Sequence, residues 1–184
     1  NTVDKNGLGV SLIQSNFHGI GSRIGVGNYG FFLHNRGCGF NLNQQHPNFL
    51  KAGNKPLHTL SPTLWSKDDN LEFIVGTRGG RYQPQLLVQV ILPYLLNLES
   101  FESIIKKPRW VVDYFGSNTS SKIKFEEISE IEINFLKKKG HEVTNENGYK
   151  NAYGPISIIY KDKTDNFQGV ADIRVGTEKV FNSL

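Results

Sequence analysis

The chain has 184 residues, which suits about one domain with a real core. Its longest apolar stretch, LLVQVILPYLL over 86–96, is too short for a bilayer span of ~20 residues. One cysteine, Cys38, excludes an intrachain disulfide and leaves the compartment open. The net charge of +4 permits nucleic-acid or anionic partners without establishing them. A hydrophobic share of 38% is low for a self-sufficient globule, so either the surface is polar or part of the core lies in a partner chain.

Residues 1–13 read as a β-hairpin. Asp4-Lys5-Asn6-Gly7 is a turn with Asn-Gly where positive φ is needed, and alternation from Leu8 to Ile13 gives the returning strand. There is no basic start leading into an apolar run, so these residues are not expected to be a signal peptide. Nine of the nineteen glycines fall within the first 39 residues, which implies tight turns and close backbone approaches. Phe17 to Gly30 reads as loop, Phe31 to Asn35 as a short strand, and Arg36 to about Lys55 as a long functional loop. Pro56 to Trp65 is expected to be a strand bent at Ser61-Pro62. A turn at 66–70 and a strand at Leu71–Val75 follow.

After TRGGRYQP (77–84), Gln85 to Leu96 is expected to be a buried helix, apolar nearly all round. Pro84 suits its first turn, and Pro93 should kink or end it. Ser100–Lys106 reads as a short helix, Trp110–Phe115 and Lys122–Phe125 as strands, and Glu127–Lys139 as an amphipathic helix. Glu residues lead that last helix, the run Lys137-Lys138-Lys139 suits its dipole, and Gly140 ends it. Ile156–Tyr160 and Phe167–Arg174 form a closing hairpin. Seven or eight strands, mostly in hairpin order, with three helices between blocks predict a layered α+β architecture.

Several chemical motifs carry little weight. Gly25-Val26-Gly27-Asn28-Tyr29-Gly30 has the G-x-G-x-x-G spacing, but strand-like FFLHN follows where a dinucleotide fold needs a helix. Asn118-Thr119-Ser120 matches a glycosylation acceptor with equally little force. The five histidines have no metal-ligand spacing, so neither metal nor cofactor is expected. No residue pattern places a histidine beside Cys38. Gly79-Gly80 has more to offer. Adjacent glycines between a strand end and a helix start can aim consecutive N–H groups at one point, as an oxyanion hole requires, or can simply make a tight turn.

Taken in order, VDKNGLGVSLIQSNFHGIGS, GFFLHNRGCGF, GNKPLHTLSPTL and VGTRGGRYQPQLLVQV resemble the small subunit of the γ-glutamyltranspeptidases. The likeness runs from Thr2 to about Trp110 and continues more weakly to the last hairpin. HNRG, HPNFLKAGNKPLHTLSP and GG-R-x-QPQ look closest to the transpeptidase-like branch. The resemblance implies an N-terminal-nucleophile hydrolase, a four-layer αββα sandwich shared with a large subunit cut from the same precursor. The whole of 1–184 would be the small-subunit portion, a single domain.

The nucleophile implied is the N-terminal Thr of the small subunit. By family spacing it lies about four residues before Asn1, its own α-amino group serving as base. Thr2 has the wrong register relative to Asp4, and Asn1 has no hydroxyl or thiol. The resemblance assigns Ser15 to activating the nucleophile and Gly79 and Gly80 to the oxyanion hole. It matches His58 and Thr59 to a serine pair that holds the donor's α-carboxylate, although only Thr59 keeps a hydroxyl. Arg36 stands where the family has a polar residue near the substrate amino group. Gly39 stands in place of an aspartate, and Phe17 in place of an asparagine, that hold the same group. These departures favour amide hydrolysis or acyl transfer in general over glutathione as donor. They also admit an acidic acyl group without a free α-amine.

The resulting expectation is a γ-glutamyl or similar small-molecule donor, with water or an amine as acceptor, and no nucleic acid or membrane partner. The family admits a dimer of heterodimers, and the cytoplasm is slightly favoured over a secreted or periplasmic site. The alternative is a catalytically inactive relative with a binding or structural role. A nucleic-acid-binding domain rests only on the basic charge.

Overall fold

A computed structural model describes residues 1–113, 122–176 and 179–181. The chain forms two compact units, one of residues 1–12 with 61–184 and the other of residues 13–60.

In the first unit, β1 (Thr2–Val3) and β2 (Gly9–Val10) pair antiparallel around the predicted turn. The Asp4 carboxylate accepts from the N–H groups of Asn6 and Leu8 and closes that turn. Gly9 lets the ribbon lie close on the sheet, since a Cβ there would stand 2.6 Å from Leu71 Cδ2 and 2.9 Å from Ile74 Cδ1. β3 (Thr63–Lys67) and β4 (Asn70–Thr77) form a hairpin whose turn residues Asp68 and Asp69 both have positive φ.

β8 (Ile156–Lys161) and β9 (Phe167–Val170) complete an antiparallel sheet of order β3-β4-β8-β9. Its core gathers Phe73, Val75, Ile156 and Ile158 with Leu87, Val90 and Ile91 of α1 (Gln83–Leu95) and Phe101 and Ile104 of α2 (Phe101–Ile104). Tyr94 stacks on Phe101 at 3.8 Å, and Trp65 stacks on Phe73 at 5.3 Å.

A second, three-stranded sheet contains β5 (Trp110–Asp113), β6 (Lys122–Phe125) and β7 (Glu142–Asn145), with β6 and β7 parallel. α3 (Glu130–Lys138) connects β6 to β7 and starts on a capping box between Ser129 and Glu132. The free edge of β5 is covered by side chains. The Gln85 amide exchanges both hydrogen bonds with the Val112 backbone (2.7 and 3.2 Å), and Gln89 does the same with Trp110 (2.8 and 3.0 Å). One helical turn between the glutamines matches two residues of strand, so α1 acts as a neighbouring strand would.

Four buried charges meet at the start of β5, the end of β6 and the chain after β9. Arg109 Nη2 meets Asp172 Oδ2 at 2.6 Å, Arg174 Nη1 meets Asp172 Oδ1 at 3.1 Å, and the Arg174 guanidinium also grips Glu126. Glu126 accepts in addition from the N–H groups of Arg109 and Lys150. Two cations face two anions, each with further hydrogen bonds, and among the described residues only Arg109 Nε of the group is buried without a partner.

The second unit, 13–60, has no extended sheet. It is held by backbone bonds such as Ser22 N to Leu33 O (2.8 Å) and Leu33 N to Ile24 O (3.0 Å), two isolated bridges, and 3-10 turns at Gly27–Tyr29 and Arg36–Gly39. Gly21, at φ +77°, lies so close to the Leu33 carbonyl that any side chain would collide with it.

Several sequence expectations need correction. Phe31–Asn35 is no strand: only Phe32 bridges, to Gly25. Pro56–Ser61 is irregular and the strand begins at Thr63, because prolines at 56 and 62 withhold ladder donors. α1 is half-covered, with Val88, Leu92 and Leu95 exposed. α3 begins three residues late, at its cap. β7 was not anticipated, and β9 stops at Val170. The outer end of the predicted strand at Tyr114-Phe115 and the Asn118-Thr119-Ser120 match lie outside the described residues.

Candidate active site

The junction between β4 and α1 is built on two glycines. β4 ends at Thr77, and Gly79 (φ +129°) and Gly80 (φ +57°) both take conformations that side chains disfavour. The Tyr82 N–H closes the turn on the Gly79 carbonyl at 3.0 Å, and Pro84 occupies the first turn of α1, where its missing N–H is harmless. Among the described residues, the N–H groups of Gly79 and Gly80 find no acceptor.

The turn is packed from behind. A Cβ at Gly79 would stand 3.1 Å from Leu86 Cδ1 and 3.6 Å from the Cα of Gly154, whereas one at Gly80 would meet nothing within 4 Å. Gly154 itself, at φ +57°, leaves no room for a side chain against the Arg78 carbonyl. Thr77 Oγ1 lies 2.9 Å from the Arg78 carbonyl oxygen, 3.2 Å from that of Gly154 and 3.3 Å from that of Pro155. Arg109 Nη1 donates to the carbonyls of Tyr153 and Gly154. The buried charge network therefore reaches the turn through Gly154. Tyr82, next along the chain, has its phenol pushed up to about 12 by burial and by the Asp113 carboxylate, so it stays neutral at ordinary pH.

Asn1 is also fixed by its side chain. Its Nδ2 donates to the Ser157 carbonyl at 2.8 Å, its Oδ1 accepts from Ser11 Oγ at 3.1 Å, and it lies against Gly76. This clamp sets the direction from which any preceding residues arrive. Thr2 is a strand residue paired with Val10.

In the second unit, the structure brings together Ser15, Arg36 and Thr59. Arg36 Nη1 donates to Thr59 Oγ1 at 3.2 Å and Nη2 to the Ser15 carbonyl at 3.3 Å. Arg36 and Thr59 are each 7% exposed. The Phe17 ring lies 5.4 Å from the guanidinium carbon, carried there by a backbone at φ +79°, rare for a bulky residue. Ser15 Oγ accepts from the Phe17 N–H at 2.9 Å and so keeps its own proton to donate. His58 is exposed and does not join the group. Two contacts had no sequence signal: the Asn1 clamp, and exposed Cys38, whose Sγ lies 3.7 Å from His18 Nδ1.

The gamma-glutamyltranspeptidase family profile matches residues 1–181. The chain belongs to the γ-glutamyltranspeptidase family. It is 31% identical over 173 residues to the oxamate amidohydrolase proenzyme of Klebsiella pneumoniae and 32% identical over 173 residues to the glutathione hydrolase-like YwrD proenzyme of Bacillus subtilis. In both cases 94% of the chain is covered. It spans about a third of the length of these relatives.

Its fold matches the γ-glutamyltranspeptidase of Pseudomonas nitroreducens (TM-score 0.81, 20% identity, 98% of this chain and 97% of that one). It also matches the transpeptidase CapD of Bacillus anthracis (TM-score 0.72, 23% identity, 99% and 97%). The α+β, N-terminal-nucleophile-hydrolase fold class expected from the sequence is thus the fold observed.

Proposed function

We propose that the protein carrying this chain is an amide hydrolase or acyltransferase for γ-glutamyl or related acyl donors. Its nucleophile is an N-terminal Thr about four residues before Asn1. The observation that supports this most is the Gly79-Gly80 turn: two consecutive positive-φ glycines at a helix start, in a chain of this family. The names of the two bacterial relatives, an oxamate amidohydrolase and a glutathione hydrolase-like protein, fit amide cleavage.

The chemistry runs in two halves. The Thr hydroxyl adds to the amide carbonyl while its proton passes to the α-amino group of the same residue. The carbonyl oxygen gains negative charge, which the Gly79 and Gly80 N–H groups stabilise. An oxyanion donor of this kind is worth roughly 10²–10³ in rate. The C–N bond breaks, the amine leaves with the proton, and the acyl group remains as an ester. Water or an amine acceptor then takes it and restores the hydroxyl. Ser15 hydrogen-bonds the nucleophile, and Arg36 and Thr59 contact the donor. The scheme needs a large chain from the same precursor and calls for no metal or cofactor.

Intact mass and N-terminal sequencing of the native protein test this. The expected result is a separate small chain beginning with Thr a few residues before Asn1. A chain that continues unbroken through this point, or whose mature end carries no Thr, Ser or Cys, contradicts it.

A further inference from the structure

Gly79 has no side chain to hold its own backbone, so the direction of its N–H is decided by the peptide plane it shares with Arg78. In a trans peptide the carbonyl of one residue and the N–H of the next point in opposite directions. Whatever grips the Arg78 carbonyl therefore aims the Gly79 N–H.

Thr77 grips it. This residue is only 6% exposed, and its Oγ1 lies 2.9 Å from the Arg78 carbonyl oxygen. The carbonyls of Gly154 and Pro155 stand slightly farther off, at 3.2 and 3.3 Å. A hydroxyl has one proton to give. Arg109 supplies Gly154 from the other side, Nη1 donating to its carbonyl at 2.5 Å and to that of Tyr153 at 3.1 Å, while Asp172 holds the same guanidinium at 2.6 Å. The Thr77 proton is thus left for the nearest carbonyl, that of Arg78.

The rest of Arg78 is tied to the same segment. Its Nη2 donates to Asn151 Oδ1, at the start of the 3-10 turn Asn151–Tyr153. Its carbonyl faces Gly154, where a Cβ would stand 2.1 Å from the oxygen. The Gly79 N–H consequently faces away from Gly154. Nothing in Gly79 itself opposes turning this plane over, since glycine tolerates either orientation. The turned plane would present the Arg78 carbonyl where the N–H now points, and a developing oxyanion would meet repulsion in place of a hydrogen bond.

We propose that Thr77 is a positioning residue: its hydroxyl holds the Arg78–Gly79 peptide plane so that the Gly79 N–H is aimed at the oxyanion. This rests on the amide-cleavage reading above. Thr77 acts through the peptide plane and not on the donor, and Arg109 supports it by occupying the competing carbonyl of Gly154.

Three variants of the full protein separate the hydroxyl from the rest of the side chain. Thr77→Val keeps the shape and removes the hydroxyl, Thr77→Ser keeps the hydroxyl and removes a methyl group, and Thr77→Ala removes both. With γ-glutamyl-p-nitroanilide as donor, Thr77→Val and Thr77→Ala should each lose roughly tenfold in kcat at unchanged KM, the scale of one net hydrogen bond. Thr77→Ser should stay within about twofold of the native kcat. Both halves of the reaction pass through an oxyanion, so kcat reports on the turn whichever half is slower. Urea unfolding of the same variants is the control. A merely structural role makes kcat follow stability; positioning makes kcat follow the hydroxyl, whatever the order of stabilities.

A Thr77→Val enzyme as fast as Thr77→Ser, a Thr77→Ser loss equal to that of Thr77→Ala, or a change in KM in place of kcat overturns the proposal while leaving amide cleavage intact. A fold that survives none of the three replacements makes Thr77 structural and overturns it too. Absence of turnover by the native protein removes the γ-glutamyl amide-cleavage reading, and the positioning role falls with it.

Discussion

In the sheet-bearing unit, Arg109 and Arg174 are buried against Asp172 and Glu126, with backbone carbonyls taking further N–H groups. In residues 13–60, Arg36 is equally hidden but faces a threonine hydroxyl and a carbonyl. The first arrangement pairs each cation with a carboxylate, leaving Arg109 Nε as its one unpartnered buried nitrogen among the described residues, and ties together the ends of β5 and β6 and the chain after β9. The second holds no carboxylate among the described residues. One unit pairs its buried arginines with carboxylates; in the other, among the described residues, the buried guanidinium meets neutral acceptors and an aromatic ring.

That contrast can be broken most forcefully from the carboxylate-paired side. Arg174→Met strands Glu126 and half of Asp172 in the interior and should cost about 3–5 kcal/mol. Urea unfolding would measure it, and a loss under about 1 kcal/mol would show that the pairing does not hold the fold together. Arg36→Gln, by the same method, should change stability by less than about 1 kcal/mol.

The next effect is on rate. Gly79→Ala places a methyl 3.1 Å from Leu86 Cδ1 at φ +129° and should lower kcat by roughly 10²–10³ if the turn supplies the oxyanion donors. Unchanged kcat for a donor that the protein cleaves would remove Gly79 from the scheme.

Acid separates the units more gently. Burial alone would raise the Asp172 carboxyl, but the Arg109 charge and the N–H groups of Arg174 and Ile156 hold it below the ordinary carboxylate value. A folded-state pKa below the unfolded one contributes stability above the unfolded value, and that stability is lost as pH falls through the folded one. Thermal unfolding should therefore be insensitive to Asp172 at neutral pH and should fall only below about pH 4. Asp172→Asn should flatten that acid limb. The smallest effect is at the strand edge: Gln89→Ala removes two bonds to Trp110 and should cost about 1 kcal/mol by urea unfolding.

How much of this was legible in the sequence follows from the range of the interactions. The β1–β2 turn, α1 with Pro84, the closing Lys run of α3 and the Gly79-Gly80 junction are written in neighbouring residues and could be read. Pro56–Ser61 could not, because apolar alternation there competes with proline chemistry and the latter wins. β7 has little apolar signal, since its pairing with β6 across α3 decides it.

The Arg109–Glu126–Asp172–Arg174 network joins residues up to 65 positions apart, and no local pattern announces it. At the candidate site, the family likeness supplied Ser15, Arg36, Thr59 and the glycines. Only the folded chain joins Arg36 to Thr59 and leaves His58 outside.

The central claim is acyl transfer through a covalent intermediate on the N-terminal Thr. The most direct test mixes native protein with an acyl p-nitroanilide that it cleaves, quenches in acid within the first turnover, and maps the added mass by peptide analysis. The account predicts the acyl mass on the N-terminal peptide of the small chain, at its Thr, with release of nitroaniline ahead of free acid. An adduct on Cys38, or product formation with no adduct on the small chain's N-terminal peptide, would contradict it.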